Sequence, residues 1–205
     1  MSDEQDIDRS RRRLIVATAG LGAIGTAALA TPFIMSWMPS ARARAAGVPI
    51  EIDISRLEPG QSVKKAWRGK PIVVVRRTRS MLKGIEVVDP EMADPQSEKS
   101  IQPAYVDNKS RAIKSEYLVL IGLCTHLGCS PSNKFKVGPA SDMGPDWQGG
   151  FYCPCHGSKF DLAGRVYKNV PAPTNLVVPP HGYKSDTVLV IGVDQPDLDK
   201  AKGAA

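Results

Sequence analysis

The sequence predicts a mostly β protein: a small antiparallel β head domain preceded by one N-terminal transmembrane helix. Three observations predict it. Leu14 to Ala41 is a run of 28 residues without a charge, and about 20 apolar residues suffice to cross a bilayer core. Beyond residue 49 the apolar runs are short, alternating or β-branched, and bounded by turn residues. The 17 Pro and 18 Gly fall mostly outside the uncharged run, which disfavours long helices there. A chain of 205 residues and 22.1 kDa leaves room for one ordinary domain and an appendage.

Residues 1–13 hold four acidic and four basic residues and form the expected cytoplasmic N-terminus. Arg9, Arg11, Arg12 and Arg13 directly precede the span, so the positive-inside rule sends the remainder across the membrane. Arg42 and Arg44 on the far side weaken that bias without reversing it. Ser10-Arg11-Arg12-Arg13-Leu14-Ile15 reads as a twin-arginine export signal, and the weakly hydrophobic Gly/Ala-rich stretch after it suits that route. The transmembrane helix is placed at 14–38. Trp37 serves as an interfacial anchor, and Pro32 is tolerated in a membrane span. A buried core helix would seldom stay uncharged for so long. Ala41-Arg42-Ala43 and Ala43-Arg44-Ala45 have the small-residue pattern of cleavage sites, but the long span and Trp37 predict an uncleaved anchor. Residues 39–49, PSARARAAGVP, form a flexible hinge that reaches about 36 Å when extended.

The head is placed at 50–194. Ile50, Ile52 and Ile54 alternate with Glu51, Asp53 and Ser55, the pattern of a half-buried strand. Pro71–Val75, Tyr117–Leu123 and Thr187–Val193 are further strands. The polar stretch from Asp89 to Glu116 is expected as loop with a short helix, and 195–205 as a solvated tail. Net charge is +6, all of it arising after residue 13. No arginine stripe interleaves with aromatics, so nucleic acid is not an expected partner.

All four Cys fall in two boxes, Cys124-Thr125-His126-Leu127-Gly128-Cys129 and Cys153-Pro154-Cys155-His156-Gly157-Ser158, which also hold two of the three His. Three readings of these six ligand-type residues stand side by side. A structural zinc site with two Cys and two His ligands uses similar atoms. Two structural disulfides suit an oxidising compartment. A [2Fe–2S] cluster with mixed ligands takes one Cys and one His from each box, at C-x-H and C-x2-H spacing. That last reading leaves one Cys per box free to cross-link the loops.

CTHLGC followed by CPCHGS resembles the Rieske iron–sulfur proteins, in which His replaces Cys on one iron. The basic start, the span, the Ala-rich connector and Pro171-Ala172-Pro173 narrow the resemblance to Rieske subunits of cytochrome bc-type quinol–cytochrome c reductases, over roughly residues 9–194. The resemblance implies a Rieske head with its cluster-binding part at about 124–173. It implies Cys124 and Cys153 as ligands of the inner iron, His126 and His156 as ligands of the outer one, and a Cys129–Cys155 disulfide. It implies partners too: cytochrome b, a c-type cytochrome, ubiquinol at a site shared with cytochrome b, and a dimeric membrane complex. His156 is then the residue that takes the quinol hydrogen bond and proton, and head movement on the hinge delivers the electron and contributes to proton translocation. The implied location is a bacterial inner membrane, single-pass, with the head periplasmic. An exported Rieske partner of another oxidoreductase, such as a molybdenum oxidase, is the alternative. A ring-hydroxylating oxygenase would need a two-His mononuclear iron site, and a single His remains.

Neutral imidazoles leave the oxidised core uncharged where four thiolates would make it dianionic, which raises the potential. Gly128 and Gly157 are expected to let backbone N–H groups approach the sulfurs, and Ser158 to donate its hydroxyl to one. Many high-potential relatives carry Tyr two residues after that serine; here Phe160 cannot donate. Val170 stands where many relatives carry Gly. Leu127, Gly128, Pro154, Pro171, Ala172 and Pro173 make an apolar tip. His181 is expected on a surface turn, and Trp67 and Trp147 in packing.

Overall fold

The computed structural model describes residues 9–41, 43 and 47–203. The expected hinge at 39–49 lies partly outside the described residues, as do the first eight residues of the N-terminal segment and Arg42, Arg44 and Ala45. Two units divide the chain, Met1–Ala45 and Ala46–Ala205.

The first unit is built on α1 (Arg9–Ser36), 28 residues with every side chain exposed or nearly so. At 1.5 Å per residue it is about 42 Å long, and it is apolar enough to cross a membrane. The hydroxyls of Thr18, Thr26 and Thr31 donate back to Leu14, Gly22 and Ala27 carbonyls at 2.9, 2.8 and 2.7 Å. Each polar side chain is thereby satisfied within the helix, the condition a lipid surrounding imposes. Pro32 sits inside the helix, where a membrane span tolerates it.

In the second unit, three three-stranded antiparallel sheets follow the orders β1-β9-β8, β2-β3-β4 and β5-β6-β7. The strands are β1 (Ile50–Asp53), β2 (Ser62–Trp67), β3 (Lys70–Arg76), β4 (Tyr117–Ile121), β5 (Ser132–Lys134), β6 (Gly150–Tyr152), β7 (Lys159–Phe160), β8 (His181–Tyr183) and β9 (Val188–Ile191). The middle sheet explains the unbroken apolar runs of β3 and β4, because both its faces are covered. Ile72 and Val74 pair with Ile121 and Val119, and their side chains join Ile52, Leu189 and Ile191 of the first sheet and Ile54 just after β1. Val73 and Val75 pair with Leu120 and Leu118, and this opposite face joins Cys124, Cys153, Phe151 and Phe160. A period of two with apolar residues on both faces reads as a continuous run. On β1 one face is solvated, hence its clean alternation.

Four expected strands are present; β2 and β5–β8 were not anticipated. Too short or too charged to show a period, they are held by register with their neighbours. The expected short helix lies earlier than 89–116. It is α2 (Arg79–Val87), started by Thr78, whose hydroxyl accepts the Met81 N–H at 3.2 Å. Met81 and Ile85, one turn apart, pack on Leu162 and Ala163. The loop after it contains a 3₁₀ turn, Asp89–Glu91, and is organised by buried Asp94. The Asp94 carboxylate accepts the Glu98 and Lys99 N–H groups and the Ser100 hydroxyl.

The expected solvated tail is instead α3 (Gln195–Gly203), laid along the edge strand β8. Gln195 Oε1 accepts the Tyr183 N–H at 2.7 Å and Lys202 Nζ donates to the Tyr183 carbonyl at 2.8 Å. Side chains thereby occupy a strand edge that would otherwise be open to foreign pairing. Residues 204–205 lie outside the described residues. His181 is also corrected: it is fully buried in β8, its ring Nδ1 2.8 Å from the Pro179 carbonyl. Burial pushes its pKa below the ordinary 6.5. Trp67 and Trp147 are buried, as expected for packing, and Trp147 stacks on Tyr167 with ring centroids 5.7 Å apart.

Candidate metal centre

Two loops with one hydrogen-bond pattern carry the Cys/His boxes. In the first, which follows β4, the Cys124 N–H donates to the Cys129 carbonyl at 2.7 Å, and the Gly128 N–H donates to the Cys124 carbonyl at 2.9 Å. In the second, between β6 and β7, the Cys153 N–H donates to the Ser158 carbonyl at 2.8 Å, and the Gly157 N–H to the Cys153 carbonyl at 3.0 Å. Gly128 and Gly157 hold φ of 81° and 78°, the left-handed region that disfavours a side chain. Their own amides are committed to the Cys124 and Cys153 carbonyls, so these two glycines close the turns. Gly122, at the exit of β4, is needed for space, since a Cβ there would lie 2.7 Å from a Val73 methyl carbon.

These paired turns sort the six side chains by depth. Cys124 and Cys153 are free thiols and buried, in one apolar cluster. Cys129 and Cys155 are joined in a disulfide that ties the loops together across 26 residues of sequence. His126 is half-buried and His156 exposed; their rings meet edge to face, centroids 4.8 Å apart and planes at 84°. Burial pushes the Cys124 thiol up, opposed by hydrogen bonds to its sulfur from the His126 backbone N–H and the Ser158 hydroxyl.

A third loop, Pro171–Thr174, closes one side. Its Ala172 N–H donates to the fully buried Ser158 Oγ at 3.1 Å, and the Thr125 hydroxyl donates to the Thr174 carbonyl at 2.7 Å. Ala172 is itself buried, so it leaves the expected apolar tip, where Leu127, Pro154, Pro171 and Pro173 are exposed. Sequence reasoning missed two residues that hold this loop. Thr125 stood in plain view inside the first box. Asn175, fully buried, accepts the Val166 N–H and donates to the Asp94 carbonyl and Ser97 hydroxyl; nothing in its sequence context marks it. Phe160 is wholly buried in the apolar cluster that contains the two free thiols.

Beneath the second box lies a buried ion pair. The Arg165 guanidinium meets Asp161 at 2.8 Å and Asp89 at 2.5 Å, and donates to the Ile85 and Pro95 carbonyls. It thereby ties the turn after β7 to α2 and the loop beyond it.

The donor set fits a mixed-ligand iron–sulfur cluster: the two boxes bring two buried free thiols and a contacting pair of imidazoles, and the remaining sulfurs are consumed in the disulfide. That leaves neither four free thiolates for an all-cysteine site nor two disulfides. The comparisons bear on the same point. The family profile described as "Rieske [2Fe-2S] domain" matches residues 50–180, and that described as "Ubiquitinol-cytochrome C reductase Fe-S subunit TAT signal" matches residues 1–40. The ubiquinol-cytochrome c reductase iron-sulfur subunit of Allochromatium vinosum is 56% identical over 192 residues, covering 93% of this chain and 92% of its own length. That of Blastochloris viridis is 43% identical over 195 residues, covering 94% of this chain and 98% of its own. Among solved structures, a chain of a hyperthermophilic respiratory complex III aligns at a TM-score of 0.44 with 26% identity, covering 85% of this chain and 97% of its own. Both boxes lie within the matched domain, and the cofactor is a Rieske [2Fe–2S] cluster. The chain belongs to the Rieske iron–sulfur subunits of ubiquinol–cytochrome c reductase.

Proposed function

We propose that the head carries an electron and a proton from ubiquinol, with Cys124 and Cys153 holding one iron of the cluster and His126 and His156 the other. The observation that carries this reading is the edge-to-face pair of imidazoles at an exposed tip above two buried thiols. When bound, the cluster supplies one-electron acceptance and release. His156, exposed, accepts the hydrogen bond of a quinol hydroxyl in a site shared with cytochrome b and takes its proton at the ring. Leu127, 72% exposed, with Pro154, Pro171 and Pro173, gives the tip an apolar rim that docks by excluding water. Ser158 and the His126 amide hold the Cys124 sulfur in place from the buried side.

Membership in this reductase implies cytochrome b and cytochrome c partners. The tether at 39–49 lets one tip visit cytochrome b and then the c-type cytochrome, in a dimeric complex that contributes to proton translocation. The N-terminal anchor helix with its twin-arginine signal makes the chain a membrane subunit. The four arginines before the uncharged span support a cytoplasmic N-terminus, so the anchor crosses the inner membrane once and the head is periplasmic.

Leu127→Asp tests the docking role. Placing an unpaired charge on an apolar rim costs enough on docking to slow turnover by about tenfold or more. Membranes carrying the variant are expected to keep the cluster's EPR signal and lose quinol–cytochrome c turnover to that degree. Full turnover with a normal signal would overturn the assignment of the tip as the docking surface.

A further inference from the structure

We propose that Trp67 is a clasp that fixes the head-side end of the tether, a positioning residue for head movement; this rests on the shuttling reading above. Trp67 ends β2 and pairs with Lys70 across a two-residue turn. Arg68 and Gly69, with φ of 50° and 70°, supply the two left-handed positions of a type I′ hairpin. The indole Nε1–H donates to the Val48 carbonyl at 3.1 Å. Val48 lies outside the sheet: its side chain is exposed, and the ladder of β1 with β9 begins at Ile50 opposite Ile191. Among the described residues, the indole bond is the hydrogen bond that ties 47–49 to the head.

The indole is itself clamped. It rests on Gly192, where a Cβ would lie 2.7 Å from Cζ2 and 3.1 Å from Nε1. The Arg68 guanidinium lies over the ring, 4.5 Å from its centroid, a stacking arrangement favourable to a cation. The same hairpin runs on to Pro71, whose carbonyl accepts the Gly122 N–H at 2.7 Å, two residues before Cys124. One hairpin therefore holds both the end of the tether and the approach to the first box.

Releasing the clasp moves the fixed point from Val48 to Ile50. Two more free residues add about 7 Å of slack, and the effective concentration of a tethered module at its docking sites depends on tether length. The clasp thus sets the point and direction from which the head swings.

Trp67→Phe keeps an aromatic ring on Gly192 and removes the N–H. In the intact complex in native membranes, protease cleavage at 47–49 is expected to rise by about fivefold, the change in open-state population that one net hydrogen bond supports. The cluster's EPR line shape and its loss temperature, which a merely structural role would move, are expected to stay unchanged. Cleavage at the wild-type rate would overturn the clasp, as would an altered line shape. Arg68→Gly keeps the left-handed turn and removes the stacked cation, and a smaller rise is expected. If Trp67→Phe does not assemble, a wild-type cleavage rate in Arg68→Gly overturns the proposal. Shuttling is tested separately by Pro replacements across 41–47. Wild-type turnover there would sink the shuttling reading while leaving the cleavage result to decide the clasp.

Discussion

The Ser158 hydroxyl joins two loops: it accepts the Ala172 N–H at 3.1 Å and hydrogen-bonds the Cys124 sulfur, all three groups being buried. Ser158→Ala removes a donor from a ligand sulfur and orphans a buried N–H. A donor to sulfur favours the more negative, reduced state, so the midpoint is expected to fall by ~40 mV for a hydrogen bond of ~1 kcal/mol. The orphaned Ala172 amide adds about 1–3 kcal/mol of destabilisation. Redox titration of the EPR signal and its thermal loss measure the two effects.

Phe160 is wholly buried in the cluster of apolar side chains that contains Cys124 and Cys153, and it offers no donor. Phe160→Tyr is expected to raise the midpoint, by ~40 mV if the hydroxyl reaches a ligand sulfur. The same titration decides it, and an unchanged or lower midpoint would contradict the account of Phe160.

Cys129–Cys155 closes a loop with a sequence separation of 26. On chain-entropy grounds it contributes about 3.5 kcal/mol by restricting the unfolded chain, and in the folded head it ties the two boxes together. Cys129→Ser in membranes should therefore lose cluster content, read as EPR spins per chain by quantitative immunoblot. Wild-type occupancy would show that the sheet and the proline loop alone fix the boxes.

Arg165→Met leaves Asp161 charged and buried and the Ile85 and Pro95 carbonyls without a donor. Removing one partner of such a pair costs about 3–5 kcal/mol. The expected result is a head that loses its cluster signal at a markedly lower temperature. Asp161→Asn, which keeps a hydrogen-bonding side chain, should cost less.

His181 is buried and its folded pKa is depressed below 6.5 by desolvation. The unfolded chain takes up the proton first as pH falls, so stability is fully present above pH 6.5 and is lost as pH drops towards the lower folded pKa. His181→Gln should lack that dependence. The difference in thermal stability between wild type and variant is expected to shrink from about pH 7.5 to about pH 5; a constant difference would contradict a neutral buried His181.

Legibility in the sequence followed length and chemistry. The span is visible because lipid permits no charges over a long stretch, and β3 and β4 because a sheet covered on both faces must be apolar throughout. The boxes are visible because soft ligands are rare and were concentrated. What escaped detection depends on partners distant in sequence. His181 looks like a turn residue beside Pro179 and Pro180, yet its neighbours are set by β9 and Tyr105. The 195–203 helix is polar and only weakly periodic, and it is recognisable only through the β8 edge that Gln195 and Lys202 cover. Asn175 and Arg165 read as ordinary polar residues because, apart from Val166 and Asp161 nearby, the groups they satisfy lie some 70 to 80 residues away, in the 85–100 segment.

The most direct test of the central claim is EPR of the reduced protein in its native membranes, recorded with and without an inhibitor of the outer quinol-oxidation site. A tip whose His156 meets quinol predicts a Rieske-type signal whose line shape and midpoint shift when the inhibitor binds. A Rieske signal blind to the inhibitor would remove the tip from quinol oxidation. No such signal, with zinc found by metal analysis, would contradict the assignment of the metal centre itself.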